Sequence, residues 1–337
     1  MLASCVADQR LPCAVVEAGS SAGVVASLAF GTSRDAIFDL ASLTKVLATG
    51  LVTLRLIDEG RLNLDRRAAD VLATWRGDDR ATITVRDLLT HSSGLPAWLP
   101  LYDLHQGAEA MIAASAAAAL IGPPRRAAVY SDLGFIVLGR LLEIAGDDTL
   151  PALTARTLGP LSADPPIFGV RDGDRARVVP TGVDGWRERD LHGEVHDRNA
   201  AAMGGVAGHA GLFGHAGALG EIAQVLLRAC RGQATPLGPA GLVRAFTRRS
   251  AVPGSSRALA WDTARPQSSS GPSLTRRAFG HTGFTGTSMW IDPELDVYVV
   301  LLTNRVAAST SSDEMTRIRR RVHGAIGAAW GGSHDGG

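Results

Sequence analysis

Strand signals stand at both ends of this chain and helix signals fill its middle, and that distribution constrains the fold more than any other feature. Residues 13–17 and 24–29 are apolar runs joined by the small, turn-forming stretch 19–23, which is a hairpin signature. Strand patterns return only beyond residue 250, at Ala258 to Thr263, Arg277 to Thr282, Ser288 to Ile291 and Val297 to Thr303, with Asp292-Pro293 marking one of the turns. Between the two sets, Leu47, Leu51, Leu54 and Ile57 recur at helical spacing from Ser42 to Glu59, and Gly60 supplies a stop. Further helices are predicted at 84–90, 108–120, 133–144, 217–230 and 239–249, with Gly122-Pro123-Pro124 breaking the second from the third, and a last helix at about 313–330. The stretch 160–217 has no sustained period, and its Gly, Asp and Pro content predicts extended loops wrapping the body. The expectation is an α/β (α+β) unit over 10–328 whose sheet is built from both termini and flanked by helices. One lobe would comprise about 10–60 plus 250–328, the other, helical and loop-rich, about 61–249, with a flexible tail at 329–337.

Composition narrows the partners. The 337 residues, 45% apolar and 20% charged, suffice for a substantial core. A formal net charge of +1, with arginines scattered along the chain, supplies no field for a phosphate backbone, so nucleic acid is not an expected partner. No apolar run is long enough to span a bilayer. Cys5, Cys13 and Cys230 cannot all pair internally and form no CxxC, which suits a reducing compartment. Met1 to Leu11 is mixed, leads straight into the first strand pattern and lacks the layout of a signal peptide, so the expected location is cytoplasmic unless a mis-assigned start hides a leader.

Of the 34 Lys and Arg residues, Lys45 is the only lysine. Arginine serves wherever a positive charge is enough; a lysine is needed where an amine must lose or share its proton. Ser42 and Lys45 are three apart, which on a helix places hydroxyl and amine on one face, one turn from each other. Ser42 at a helix N-terminus would also meet free backbone N–H groups and a favourable dipole for developing negative charge. Tyr130-Ser131-Asp132 precedes the apolar helix 133–144 and would put a phenol beside a helix start, although a buried tyrosine with two capping residues reads the same way. His281-Thr282-Gly283 lies on a predicted strand leading into the turn Phe284-Thr285-Gly286, where a substrate could lie against the edge and find a backbone N–H, that of Phe284.

In this order and spacing the three elements resemble the motif set of the serine β-lactamase and penicillin-binding protein superfamily: S-x-x-K, then Y-x-N or S-x-N, then K-T-G or H-T-G. The segments 91–96, 130–139, 204–213 and 281–293 are similar to its class C-related esterase and D,D-peptidase branch, so that the resemblance spans about residues 10 to 328. It implies an antiparallel sheet with an inserted mainly helical lobe, and no cofactor or metal. It further implies Ser42 as acylated nucleophile, Lys45 as the amine that activates it, Tyr130 as general base, and the N–H groups of Ser42 and Phe284 as oxyanion hole. Asp132, His281, Thr282 and Gly283 would bind substrate.

Two departures bear on that substrate. Asp132 stands where the family has Asn, replacing a donor by an acceptor-only anion, and His281 stands where Lys is commoner. No Glu-x-x-Leu-Asn deacylating loop is present, so deacylation would run through Tyr130 and efficient β-lactam hydrolysis is not expected. The expected activity is cleavage of a small ester or amide by an acyl-enzyme, carboxylesterase-like or D,D-peptidase-like. The alternatives are a cytoplasmic muropeptide amidase or peptidase of cell-wall recycling and a penicillin-binding module without turnover. The oligomeric state is open. A rival cluster, His192, His196, His209 and His215, includes an i, i+4 pair that could chelate zinc on a helix, but its glycines argue against a helix there.

Overall fold

In the computed structural model, which describes residues 1–332, six antiparallel strands form one sheet. These are β1 (Ala14–Ser20), β2 (Gly23–Phe30), β3 (Asp262–Thr263), β4 (Phe279–Thr282), β5 (Ser288–Asp292) and β6 (Val297–Thr303). Their order is β2-β1-β6-β5-β4-β3, so the N-terminal hairpin pairs with the last strand, Ala14 opposite Thr303 and Gly19 opposite Tyr298. The two ends of the chain therefore complete one hydrogen-bonded ladder, as the distribution of strand signals predicts.

The continuous apolar character of β6 has a direct cause: both faces of the sheet are covered. Tyr298, Val300 and Leu302 join one core with Val15, Leu219 and Ile222, while Val297, Val299 and Leu301 join another with Val16, Met315, Ile318 and Val322. Each fully buried Val or Leu contributes about 1.5–3 kcal/mol relative to exposure. The helix Ala216–Cys230 supplies the first face and Ser312–Gly332 the second, where a short helix at Leu2–Ala7 adds Leu2 and Cys5. That first helix departs from the sequence reading, which runs mixed residues straight into β1. The terminal helix runs on through 329–332; residues 333–337, the rest of the expected tail, lie outside the described residues.

The inserted segment carries helices at Val85–Leu89, Ala108–Ala117, Asp132–Gly146 and Ala240–Thr247, close to expectation. The helix Leu150–Leu158 is additional to those the periodicity predicts; Thr149 caps it and Pro151 fits its first turn. The 160–215 segment is loop-rich as expected, with short strands at Ile167–Phe168, Gly182–Asp184, Arg189–Leu191 and Leu212–Gly214. Leu212–Gly214 pairs with Phe38–Asp39 just before the Ser42 turn, which locks the loop region to the first lobe.

Candidate active site

Ser42 is delivered by a strained turn. Asp39 Oδ1 accepts the Ala41 N–H at 2.8 Å, and Ala41 sits at φ +47°, a conformation uncommon outside glycine. The other Asp39 oxygen accepts the His196 N–H at 2.7 Å, tying the turn to the loop region. Burial pushes the Asp39 carboxyl up to about 6, although both N–H groups oppose it. The helix that follows differs from the uniform period expected: Lys45–Gly50 is π-wound and only Leu51–Asp58 is α-helical. Lys45 Nζ and Thr49 Oγ1 both donate to the crossing 208–209 backbone, to His209 O at 3.2 Å and Gly208 O at 2.6 Å, tertiary bonds that hold the widened, underwound turn.

Lys45 is fully buried and donates to Ser42 Oγ at 2.9 Å, while Asp132 Oδ1 lies 2.7 Å from its Nζ. Burial alone would lower its pKa, but the Asp132 carboxylate and the Tyr130 phenol outweigh this and the net direction is upward. The lysine at rest is therefore an ammonium, not the proton-shedding amine that its isolation in the sequence suggests. The reason is Asp132, whose carboxylate is spent on an ion pair where an Asn would leave the amine unpaired.

Tyr130 is placed by its neighbours. Ser131 caps the helix Asp132–Gly146 through Gly134 N and donates to Pro96 O at 2.7 Å; its own N–H donates to His91 Nδ1 at 3.0 Å. The His91 ring packs on Tyr130 with centroids 4.6 Å apart and on Phe135 at 4.9 Å. Burial, followed by Arg257 and Lys45, holds His91 well below the usual histidine range, so it is a neutral, fixed prop. Lys45 Nζ and the Arg257 guanidinium lie 4.8 and 4.7 Å from the Tyr130 ring centroid, and the phenolic oxygen has no hydrogen-bond partner among the described residues.

The opposite wall is the end of β4. Gly283 is required there because a Cβ would collide with Thr287 Oγ1 and the Leu40 carbonyl. Thr285 Oγ1 donates to Asp39 O at 2.8 Å and Thr287 Oγ1 to Leu40 O at 3.1 Å, stitching this loop to the Ser42 turn. The N–H groups of Ser42 and Phe284 have no partner among the described residues. His281 Nδ1 bonds Thr282 O at 2.9 Å and Nε2 faces Arg257 Nη1 at 3.3 Å. Arginine can only donate, so Nε2 accepts and the proton sits on Nδ1. Burial, then Arg257 and Lys45, keep His281 well below the usual range and neutral.

One cavity of about 790 Å³ is lined by Ser42, Tyr130, Asp132, His281, Thr282, Gly283 and Phe284, with Lys45 sealed behind Ser42. The expected site residues thus converge on one cleft. Asp39, His91, Arg257, Arg305 and Arg319 were missed. His91 opens the segment 91–96, whose resemblance gives it no role, while the arginines are hidden among many. The four histidines of the rival cluster separate: His192 bonds Val178 O, His196 stacks on Phe284, His215 caps the helix Ala216–Cys230, and His209 pairs with Asp197 at 2.8 Å. His192 and His196 are not on a helix. Asp132, Asp197 and His209 do bring ligand atoms within 4.8 Å of one another, but the Lys45 ammonium already serves that group, 2.7 Å from Asp132 and on the carbonyl of His209.

Comparison with known proteins agrees with this fold. An N-acetylmuramyl-L-alanine amidase of Bacillus subtilis (strain 168) is 31% identical over 300 residues, covering 80% of this chain and 68% of that one. A protein of Escherichia coli (strain K12) named for D-alanyl-D-alanine carboxypeptidase activity is 29% identical over 301 residues, covering 80% and 69%. Unliganded simvastatin synthase (LovD) from Aspergillus terreus superimposes with a TM-score of 0.76 over 97% of this chain and 96% of that one, at 17% identity, which shows a common fold. The Beta-lactamase family model matches residues 1–323, and with the fold above it establishes that this chain belongs to the β-lactamase family and is a serine hydrolase.

Proposed function

We propose that the chain hydrolyses small esters or amides through an acyl-enzyme on Ser42. The observation that carries this reading is the Ser42 hydroxyl, 2.9 Å from a buried ammonium, opening into a cavity lined by Ser42 and Phe284, whose N–H groups have no partner among the described residues. Ser42 Oγ attacks the acyl carbonyl and its proton passes to the Tyr130 oxygen. Lys45 and Arg257, both against that ring, favour the negative charge the oxygen must carry to accept it. Lys45 orients Oγ and stabilises the charge forming on it. The tetrahedral oxyanion rests on the N–H groups of Ser42 and Phe284, each worth about 3 kcal/mol of barrier. Tyr130 returns the proton to the departing alcohol or amine; water then repeats the sequence on the acyl-enzyme and frees Ser42.

Asp132, an acceptor-only carboxylate paired with Lys45, has no hydrogen to donate to a β-lactam or acyl-D-Ala carbonyl, which favours esters. Amide cleavage in a muropeptide is the second reading, supported by the names of the curated relatives and by Arg257, which makes no ion pair among the described residues and so can receive a substrate carboxylate. Incubation with p-nitrophenyl acetate, nitrocefin and a soluble muropeptide, read as turnover and as the mass of the Ser42 adduct, separates the two. Adduct formation by penicillin with no turnover of any substrate would instead indicate a binding module. Ser42→Ala is expected to remove at least about a thousandfold of kcat; full activity in that variant sinks the proposal.

A further inference from the structure

The loop 283–287 has every carbonyl occupied. Gly283 O and Thr287 O accept from Arg319 Nη2 at 2.6 and 2.9 Å, Phe284 O from Arg305 Nε at 2.7 Å, Thr285 O from the Arg305 N–H at 2.7 Å, and Gly286 O from Thr303 Oγ1 at 3.2 Å. Arg319 comes from the terminal helix Ser312–Gly332, is 7% exposed, and pairs with no carboxylate among the described residues. A buried guanidinium without a counterion is costly, and here its hydrogen bonds go to two carbonyls of one loop.

We propose that Arg319 is a positioning residue for acyl transfer, holding the Gly283–Phe284 peptide so that the Phe284 N–H faces the Ser42 hydroxyl. This rests on the acyl-enzyme reading and adds a group remote in sequence from all three motifs. In a trans peptide the carbonyl and the following N–H point in opposite directions. With Gly283 O held by Arg319, the Phe284 N–H of the same peptide points away from the guanidinium; Ser42, Gly283 and Phe284 line the cavity, and so does Arg319 itself. Charge on the guanidinium also polarises that peptide, making its N–H a stronger donor at the moment the oxyanion forms. The threonine stitches to Asp39 O and Leu40 O fix the distance between the two donors, and Arg319 fixes the direction of one of them.

The test compares wild type with Arg319→Gln and Arg319→Lys for p-nitrophenyl acetate turnover and for inhibition by phenylboronic acid, whose tetrahedral adduct needs the same donors. Arg319→Gln, neutral and shorter, is expected to lower kcat by about 30-fold or more with KM changed less than about 3-fold, and to weaken the boronate by the same factor as kcat. Arg319→Lys, which keeps the charge but reaches one carbonyl, is expected to fall between. A role in packing alone would lower the melting temperature and leave the ratio of boronate affinity to KM unchanged. A folded Arg319→Gln with kcat near wild type, or with its whole loss in KM, overturns the proposal. Should Arg319→Gln not fold, Arg319→Lys decides alone: kcat reduced about tenfold at constant KM supports the role, and unchanged kcat refutes it. Mapping a fluorophosphonate adduct on wild type tests the underlying reading separately, since label absent from Ser42 would defeat that reading whatever Arg319 does.

Discussion

The two walls of the cavity handle charge in opposite ways. On the nucleophile side the charged and polar groups are tied to carboxylates: the buried Lys45 pairs with Asp132, and the His209 imidazole bonds Asp197. On the sheet side Arg257, Arg305 and Arg319 make no ion pair among the described residues and bond an imidazole and loop carbonyls instead. Paired charges hold side chains in place with little net field, whereas unpaired ones project a potential into a low-dielectric cleft. The contrast suits a reaction in which protons are exchanged at one wall and negative charge accumulates at the other.

Breaking a pair on the first wall should have the largest effect. Lys45→Met removes the cation that orients Ser42 and strands Asp132, so kcat should fall by about a thousandfold and stability by about 3–5 kcal/mol. Turnover and thermal melting measure both, and a variant that stays active would show that the pair is only structural.

Asp39 sharpens the comparison because it is a carboxyl on the paired wall with N–H donors in place of a cation. Its carboxyl is raised from 3.8 to about 6, so the folded chain binds an extra proton between those values. Stability should therefore decline as pH rises from about 4 to about 6, by about 3 kcal/mol, and level off above. Asp197 adds to the upward push and Arg187 opposes it. Denaturant melts across that range should lose this slope in Asp39→Asn; the same slope in the variant would assign it to another group.

The smallest effect is expected on the unpaired wall. Arg257→Met should reduce kcat/KM by about tenfold for an ester carrying a free carboxylate, such as p-nitrophenyl hydrogen succinate, beyond any change for p-nitrophenyl acetate. Equal losses for both esters would mean that Arg257 acts on Tyr130 alone.

The legible parts of the molecule were those with local rules. The β1–β2 hairpin, the runs of β5 and β6 and the helix Asp132–Gly146 follow from period and turn residues, because their burial pattern is that of an isolated element set against a core. Ser42, Tyr130 and His281 were legible because each sits in a short motif. The π-wound Lys45–Gly50 was not, since its bonds to Gly208 and His209 join segments 159 and 164 residues apart. Nor was the charge state of Lys45, which depends on a carboxylate 87 positions later in the sequence folding to within 2.7 Å.

By itself, then, the sequence determined a sheet drawn from both termini, a helical insertion, and a hydroxyl one helical turn from a lone amine, all consequences of spacing along the chain. The tertiary structure alone decided which arginines stand free at the cleft, which carbonyls they hold, and that the amine is an ion pair. Those properties depend on distance and burial between residues far apart in the chain, and no periodicity encodes them.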